Sequence, residues 1–158
     1  MTNLQRATWL AFLLPAGLLA GAYGSQYIGG LHPCEMCWWQ RYPHYAAVPL
    51  ALLGLFTTNP MLKRVATALA AFAILTSGLI GGYHAGVEYG WWQGLSTCST
   101  VPTGSAAEVM EQILNAPTIR CDVAPWDLFG ISLAGFNFLL STGGAIAILG
   151  WLWKDKSV

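Results

Sequence analysis

Two cysteines three residues apart carry the clearest chemical signal in the sequence. Cys34 and Cys37 lie in the stretch HPCEMCWWQR, and Arg41 follows four residues after Cys37. A Cys-x-x-Cys disulfide exchanges readily, because the neighbouring thiol can return and expel a bound partner. If a helix begins here, its N-terminal amides stabilise a thiolate, and Arg41 lies one turn deeper on the face of Cys37. The motif therefore predicts thiol–disulfide chemistry beside a cation.

Other interpretations of this stretch remain open. A structural disulfide between Cys34 and Cys37 would restrain little chain entropy, because the loop that it closes is small. Haem attachment needs a histidine directly after the second cysteine, where Trp38 stands. Zinc is the stronger alternative, since His32, Cys34 and Cys37 offer three ligands, although structural zinc sites usually combine two paired clusters. Arg41 taken alone could instead extend its head toward lipid headgroups.

The elements that position these residues are predicted to be membrane helices. The chain has 158 residues, of which 55% are hydrophobic and only 9% charged, whereas a soluble domain carries about 25% charged residues. The zero net charge gives no support to a nucleic-acid partner. Four charge-free runs each reach the roughly 20 residues that a helix needs to cross a bilayer. We predict an all-α, single integral membrane domain over residues 1–158, a four-helix bundle with spans at approximately 7–29, 43–60, 65–87 and 129–152.

Charged residues predict the orientation of this bundle. One side holds both termini and the short turn between the second and third spans, with five basic residues and one acid: Arg6, Lys63, Arg64, Lys154, Lys156 and Asp155. The positive-inside rule places that side in the cytoplasm. All four cysteines then lie on the opposite side, where disulfides persist. As an alternative, the first run could be a cleaved signal peptide, which would leave the cysteines on the same side.

The second outer loop carries the remaining two cysteines. Cys98 and Cys121 are far apart in sequence but could pair across this loop. Ser105 and Glu108 form the pattern of a capping box before the apolar-striped segment AAEVMEQILNA. We predict a short interfacial helix on the outer membrane surface, with packing against the bundle as the alternative. Turn-forming residues around Cys98 predict a thiol that is accessible to a protein partner.

Taken together, these features resemble the disulfide bond formation protein B (DsbB) family. The most specific marks are CEMCWWQR, with Arg41 four residues after Cys37, and CDVAPWDLFGISLAGFN, which leads from Cys121 into the last span. The resemblance covers essentially the whole chain. It implies a multi-pass protein of the bacterial inner membrane, with both termini cytoplasmic and with two periplasmic loops that contain the cysteines.

The resemblance also implies a role for each cysteine. A Cys98–Cys121 disulfide would reoxidise a periplasmic, thioredoxin-like oxidase of the DsbA type, with Cys98 forming the mixed disulfide. Electrons would pass to Cys34–Cys37 and then to a membrane quinone, ubiquinone or menaquinone, beside Cys37 and in contact with Arg41. The implied activity is that of a protein-dithiol:quinone oxidoreductase, which serves disulfide formation and hence protein folding. No resident metal is predicted.

His84 is a further candidate residue of the site. His84 ends the third span at the depth of the opening motif, and we predict that it contacts the quinone or carries protons. Alternatively, it is an interfacial histidine with a satisfied hydrogen bond.

One rival function is a vitamin K epoxide reductase-like enzyme, although such proteins usually carry Cys-x-x-Cys late in the bundle. The other is a non-catalytic, cysteine-rich, metal-binding membrane protein.

Overall fold

The described residues fold into five helices and one short hairpin. The structure is a computed structural model that describes residues 1–95, 104–114 and 119–155. Four helices are long, namely α1 (Asn3–Tyr27), α2 (Glu35–Phe56), α3 (Pro60–Glu88) and α5 (Leu133–Lys154), and α4 (Ala106–Leu114) is short. The strands β1 (Asp127–Leu128) and β2 (Ile131–Ser132) pair antiparallel immediately before α5.

Three described helices, α1, α3 and α5, are long and apolar enough to cross a membrane. Their outward faces expose large apolar side chains, as a lipid-facing surface does; among them are Leu13, Leu69, Phe72, Leu79 and Leu139. The prediction of an all-α fold with membrane helices is confirmed at this level. The second predicted span, 43–60, overlaps α2, whose Gln40, Arg41 and His44 are all buried. A fourth span formed by α2 stays a prediction.

Polar caps fix where the helices begin. Asn59 accepts hydrogen bonds from two backbone amides of the first turn of α3, and Ser132 accepts one at the start of α5. Cys34 has the same role for α2, since its sulfur accepts from the Cys37 amide. The helix therefore extends well before the span predicted from residue 43, and Pro43 lies inside it. This early start places the cysteine pair on a helix N-terminus.

Small side chains let the helices approach closely. The core of the half of the bundle nearer the termini is made largely of alanines from all four long helices: Ala7, Ala11, Ala47, Ala51, Ala70, Ala71 and Ala145. Between α3 and α5, a Cβ added at Gly78 would lie 2.6 Å from Thr142 Oγ1, so only glycine permits this approach. Such packing is typical of helices that associate within lipid. The two cavities that border the cysteines lie toward the opposite end.

The C-terminal end of α5 is held by charged contacts with two other helices. Arg64 donates to the carbonyl oxygens of Leu152 and Asp155 at the C-terminal end of α5. The Asp155 carboxylate in turn accepts from the Leu4 amide at 2.6 Å, at the start of α1. A cation at a helix C-terminus and an anion at a helix N-terminus both oppose the local dipole. These contacts tie α1, α3 and α5 together.

Replacing Arg64 by alanine should therefore destabilise the bundle. The carbonyls of Leu152 and Asp155 would lose the hydrogen bonds from Arg64, and we expect the free energy of unfolding to fall by about 1–2 kcal/mol. Thermal unfolding in detergent, followed by circular dichroism, measures the change. The exposed Lys154, which lies at the same end of α5, provides the control, and Lys154→Ala should have a much smaller effect. Equal effects of the two substitutions would contradict this role of Arg64.

The hairpin β1–β2 leads directly into α5 and contacts Tyr89 at the outer end of α3. Phe129 and Gly130 have φ values of 54° and 76°, as a tight two-residue turn requires. The Tyr89 hydroxyl donates to Gly130 O at 3.0 Å and accepts from the Ser132 amide at 3.2 Å. Because Ser132 also caps α5, these contacts set the position of its first turns. Asn137 is thereby placed beside α2.

Candidate redox site

The cysteine pair lies at the N-terminus of α2 with its sulfurs close together. Cys34 Sγ accepts from the Cys37 amide at 3.2 Å, and the two sulfurs are 2.8 Å apart, with both cysteines free. Cys34 is buried, whereas Cys37 is partly exposed. The hydrogen bond with the Cys37 thiol and burial raise the pKa of Cys34. Of the two residues, Cys37 is therefore the more open to a reaction partner.

Cys121 packs into the same buried cluster. It is disulfide-bonded and fully buried, in a cluster with Cys34, Met36 and Val87. Met36 separates the two cysteines of the motif in sequence, and Val87 belongs to the last turn of α3. Three of the four cysteines predicted to act together are thus in one region. Cys98 lies outside the described residues.

His84 joins this cluster to the interior of the bundle. Its Nδ1 accepts from the Gln40 side-chain amide at 2.8 Å, so the ring hydrogen lies on Nε2. That nitrogen donates to the Cys121 carbonyl oxygen at 3.1 Å. It also lies 3.6 Å from Cys34 Sγ and 3.7 Å from Glu88 Oε1. His84 Nε2 therefore lies close to both the Cys121 backbone and the Cys34 sulfur.

The same contacts bear on the zinc alternative. Potential ligand atoms of Cys34, Cys37 and His84 lie within 4.8 Å of one another. However, the His84 nitrogen that faces the sulfurs carries the hydrogen and has no free lone pair for a metal. His32, the third ligand considered from the sequence, is exposed and lies outside this group of three. The arrangement favours a hydrogen bond to Cys34 over a metal site.

Arg41 lies inside the bundle, between α1 and α2. Its guanidinium donates to Gln26 Oε1 at 2.7 Å and to the Ala22 carbonyl oxygen at 3.2 Å. It also stacks over the rings of Tyr23 and Trp38, at 5.1 and 4.8 Å from their centroids. Only 6% of the residue is exposed. These partners hold the charge beside the helix turn that carries Cys37.

Two cavities meet at Cys37. The inner cavity, of about 240 Å³, lies between α1, α2 and α5, and its polar lining consists of Ser25, Cys37, Gln40, Arg41, His44 and Asn137. The remaining lining residues of this cavity are small or apolar. The outer cavity, of about 320 Å³, is bordered by the titratable side chains of His32, Cys34, Cys37, His84, Glu88 and Arg120, although most of its wall surface is apolar. Cys37 thus borders a cavity within the bundle on one side and a cavity that contains charged groups on the other.

The predicted site residues divide between these two cavities. Arg41 and Cys37 line the inner cavity, as expected for residues that contact one ligand. His84 instead lines the outer cavity, and Gln40 links it to the inner one. The sequence did not predict three residues of this lining as site residues, namely Gln40, His44 and Asn137. A usable signal was present, because polar side chains within an apolar membrane segment usually mark a functional site.

Comparisons with known proteins found a family model and curated relatives that match most of the chain. The family model described as disulfide bond formation protein DsbB matches residues 5–151. An uncharacterized protein of Rickettsia prowazekii (strain Madrid E) is 28% identical over 127 residues, 78% of this chain and 73% of that protein. Disulfide bond formation protein B of Shewanella sp. (strain MR-4) is 28% identical over 149 residues, 92% of this chain and 85% of its own length. The protein of the same name from Xylella fastidiosa (strain Temecula1) is 31% identical over 154 residues, 92% of this chain and 87% of its own. No solved structure gave a significant match.

Proposed function

The chain belongs to the DsbB family, and on that premise we propose that it is a membrane thiol:quinone oxidoreductase that reoxidises a periplasmic DsbA-type oxidase. Family membership makes it a disulfide-formation membrane protein. The finer assignment depends on one observation, which is that Cys37 borders both the inner cavity and the outer cavity, which contains charged groups. A residue in that place can take part in exchange with sulfur on the water side and with a lipid-soluble acceptor on the other.

The proposed electron path begins at the partner protein. Its dithiol attacks the Cys98–Cys121 disulfide through Cys98, becomes a disulfide, and leaves Cys98 and Cys121 as thiols. Cys121 then exchanges with the Cys34–Cys37 disulfide, which restores Cys98–Cys121 and leaves Cys34 and Cys37 reduced. Each exchange moves two electrons and two protons, and no outside oxidant enters before the quinone. The packing of Cys121 in the buried cluster of Cys34 supports this second exchange.

The inner cavity is suited to a quinone ring. Its walls are mostly apolar, and a few polar groups at one side would orient the ring. Arg41 would donate to a ring oxygen beside Cys37, and its contacts with Gln26 and Ala22 hold it ready to do so. When bound, a ubiquinone or menaquinone supplies an acceptor for two electrons and two protons. Cys37, the cysteine of the pair that lines this cavity, is the residue proposed to deliver the electrons.

His84 acts in this proposal from the outer cavity. By donating from Nε2 toward Cys121 and Cys34, it aligns the two sulfur centres for exchange. Its link to Gln40 connects it to the quinone side, so its predicted effect on the quinone is transmitted through that amide. Glu88 Oε2 is buried without a hydrogen-bond partner among the described residues. Because Glu88 also lines the outer cavity, it is placed to take up protons released by the thiols.

The membrane arrangement is proposed from the charges and the exposed surfaces. We place α2 as the fourth span, both termini in the cytoplasm and the cysteines in the periplasm of an inner membrane. Packing of α2 against both α1 and α3 supports its membership of the bundle. α4 buries none of its side chains, and its Met110, Ile113 and Leu114 are exposed. Such an exposed apolar face is suited to the outer membrane surface.

Replacing Arg41 by alanine should weaken the apparent quinone affinity. Loss of a charged donor in the inner cavity should raise the KM for a short-chain ubiquinone about tenfold, with a smaller change in kcat. Steady-state kinetics over a quinone titration measures this. Arg120→Ala removes an exposed arginine of the outer cavity and should leave the quinone KM unchanged. If the quinone KM of Arg41→Ala is unchanged, Arg41 does not contact the quinone, and its role is only to hold α1 against α2.

One assay tests the proposed function as a whole. The purified full chain in detergent is mixed with a reduced DsbA-type oxidase and a short-chain ubiquinone, and quinone reduction is followed by absorbance. We expect catalytic turnover, with one quinone reduced for each partner disulfide formed. Absence of turnover with both ubiquinone and menaquinone analogues would contradict the proposal.

A further inference from the structure

A buried polar cluster lies at the end of the inner cavity farther from Cys37. His44, Ser77, Asn137 and Ser141 come from three helices, and His44 is only 3% exposed. Ser77 and Ser141 are fully buried. Polar groups are costly in a membrane bundle and are usually kept for a function. Neither the proposed electron path nor the Arg41 contact uses this cluster.

Hydrogen bonds in the cluster fix the ring hydrogen of His44. Its Nε2 lies 3.1 Å from Asn137 Oδ1, 2.9 Å from Ser77 Oγ and 3.4 Å from Ser141 Oγ. Asn137 Oδ1 can only accept. The Ser77 hydroxyl already donates to the Gln40 carbonyl oxygen, and the Ser141 hydroxyl donates to Asn137 Oδ1. All three neighbours therefore present acceptors, so the hydrogen of the neutral ring lies on Nε2.

The other ring nitrogen is left as an acceptor without a partner. His44 Nδ1 is buried and has no hydrogen-bond partner among the described residues, although His44 lines the inner cavity. Leaving a buried polar atom unpaired costs free energy, which a ligand that pairs with it recovers. In a neutral imidazole whose hydrogen is on Nε2, Nδ1 accepts but cannot donate. The missing ligand group is therefore a donor, such as a hydroxyl.

The position of His44 matches the far side of a bound ring. His44 follows Cys37 by seven residues, which is two helical turns and about 10.5 Å along α2 on nearly the same face. A ring bound between them would have one oxygen near Cys37 and Arg41 and the other near His44. An oxidised quinone carries only acceptors there, whereas the hydroquinone carries a hydroxyl.

We propose that His44 Nδ1 accepts a hydrogen bond from the hydroxyl that the reduced ring carries on the oxygen remote from Cys37. The inference rests on the quinone-reducing function proposed above and adds a residue to its site. Because the hydrogen bond forms only with the reduced ring, the site binds hydroquinone more strongly than quinone. This preference favours transfer of electrons from the cysteines to the ring. Asn137 is the positioning residue that keeps the hydrogen on Nε2.

Binding without electron transfer tests this subsite. In a Cys34→Ser/Cys37→Ser background, dissociation constants are measured anaerobically, by equilibrium dialysis in detergent, for a short-chain ubiquinone and for its hydroquinone. Adding His44→Leu should weaken hydroquinone binding about tenfold and quinone binding much less, so the ratio of the two constants changes. Comparing this ratio between variants cancels the partition of each probe into micelles.

Controls separate this effect from general destabilisation. Thr67→Val removes a different buried hydrogen bond, that between Thr67 and Thr8, and should keep the ratio. If His44→Leu does not fold, His44→Phe also lacks the acceptor and takes its place. A measurement without substitution at His44 uses the dimethyl ether of the hydroquinone, which lacks the hydroxyl hydrogens and should bind about tenfold more weakly than the hydroquinone.

The outcomes distinguish this inference from the proposed function. An unchanged ratio in the His44 variant, or an ether that binds as well as the hydroquinone, would overturn the role of His44 while quinone binding stands. Failure of both ring forms to bind the background protein would overturn the quinone site itself. A selective loss of hydroquinone affinity supports the proposal.

Discussion

The substitution Cys37→Ser should reduce catalytic quinone reduction to the rate seen without enzyme. Cys37 is the cysteine that lines the inner cavity, and Arg41 and Gln40 line that cavity beside it. Serine keeps the size of the side chain but cannot supply a thiolate or close a disulfide with Cys34. The assay is the decrease in quinone absorbance with excess reduced partner.

The same variant provides its own control. Its Cys98–Cys121 disulfide should still oxidise partner protein once, to about one equivalent per chain, and then stop. Quinone binding by equilibrium dialysis should persist, because Arg41, His44 and Asn137 are unchanged. Sustained turnover of the Cys37→Ser protein would mean that electrons reach the quinone by another route.

Replacing Cys98 by serine should remove oxidation of the protein partner while leaving the inner half of the path intact. The Cys34–Cys37 pair borders the outer cavity of about 320 Å³, which a small dithiol can enter but a folded protein cannot. Quinone reduction driven by dithiothreitol should therefore continue, whereas reduction driven by the DsbA-type partner should fall to background. Both rates come from the same absorbance assay.

Cys121→Ser is the matched variant for this experiment. It also lacks the outer disulfide, so it too should lose multiple turnover with the partner. In contrast to Cys98→Ser, it retains the thiol that forms the mixed disulfide. When the oxidised partner is added, this thiol can attack the partner's disulfide and release one partner thiol, so a covalent complex should form and be visible on a non-reducing gel. Undiminished partner oxidation by Cys98→Ser would show that another cysteine receives the partner.

Much of the fold could be predicted from local sequence properties. Charge-free runs of sufficient length locate the helices, and the capping pattern of Ser105 and Glu108 locates the start of α4. There, Glu108 accepts hydrogen bonds from both the Ser105 amide and its hydroxyl, at 2.7 Å each. These features depend on residues within one turn of each other. The start of α2 at Glu35 is not fixed by such a local pattern, because proline is also tolerated in the first turn of a helix and Pro43 lies nearby.

The candidate site was predictable only in part. Cys37 and Arg41 share one helix face, so their spacing alone places them together. The contact between His44 and Asn137 joins residues 93 positions apart, and that between His84 and the Cys121 carbonyl joins α3 to the segment before the hairpin. Pairing of this kind depends on how helices rotate against one another, which composition and periodicity do not fix. The two cavities that meet at Cys37 arise from the same packing.

The central claim is that both cysteine pairs deliver their electrons to the quinone through Cys37. The most direct measurement is the yield of hydroquinone when the fully reduced protein, free of reductant and partner, is mixed anaerobically with excess ubiquinone analogue. The account predicts about two hydroquinones per chain, since four thiols can form two disulfides, and about one for the Cys98→Ser/Cys121→Ser variant. A yield of one from the unsubstituted protein would contradict it, because the outer pair would then have no path to the ring.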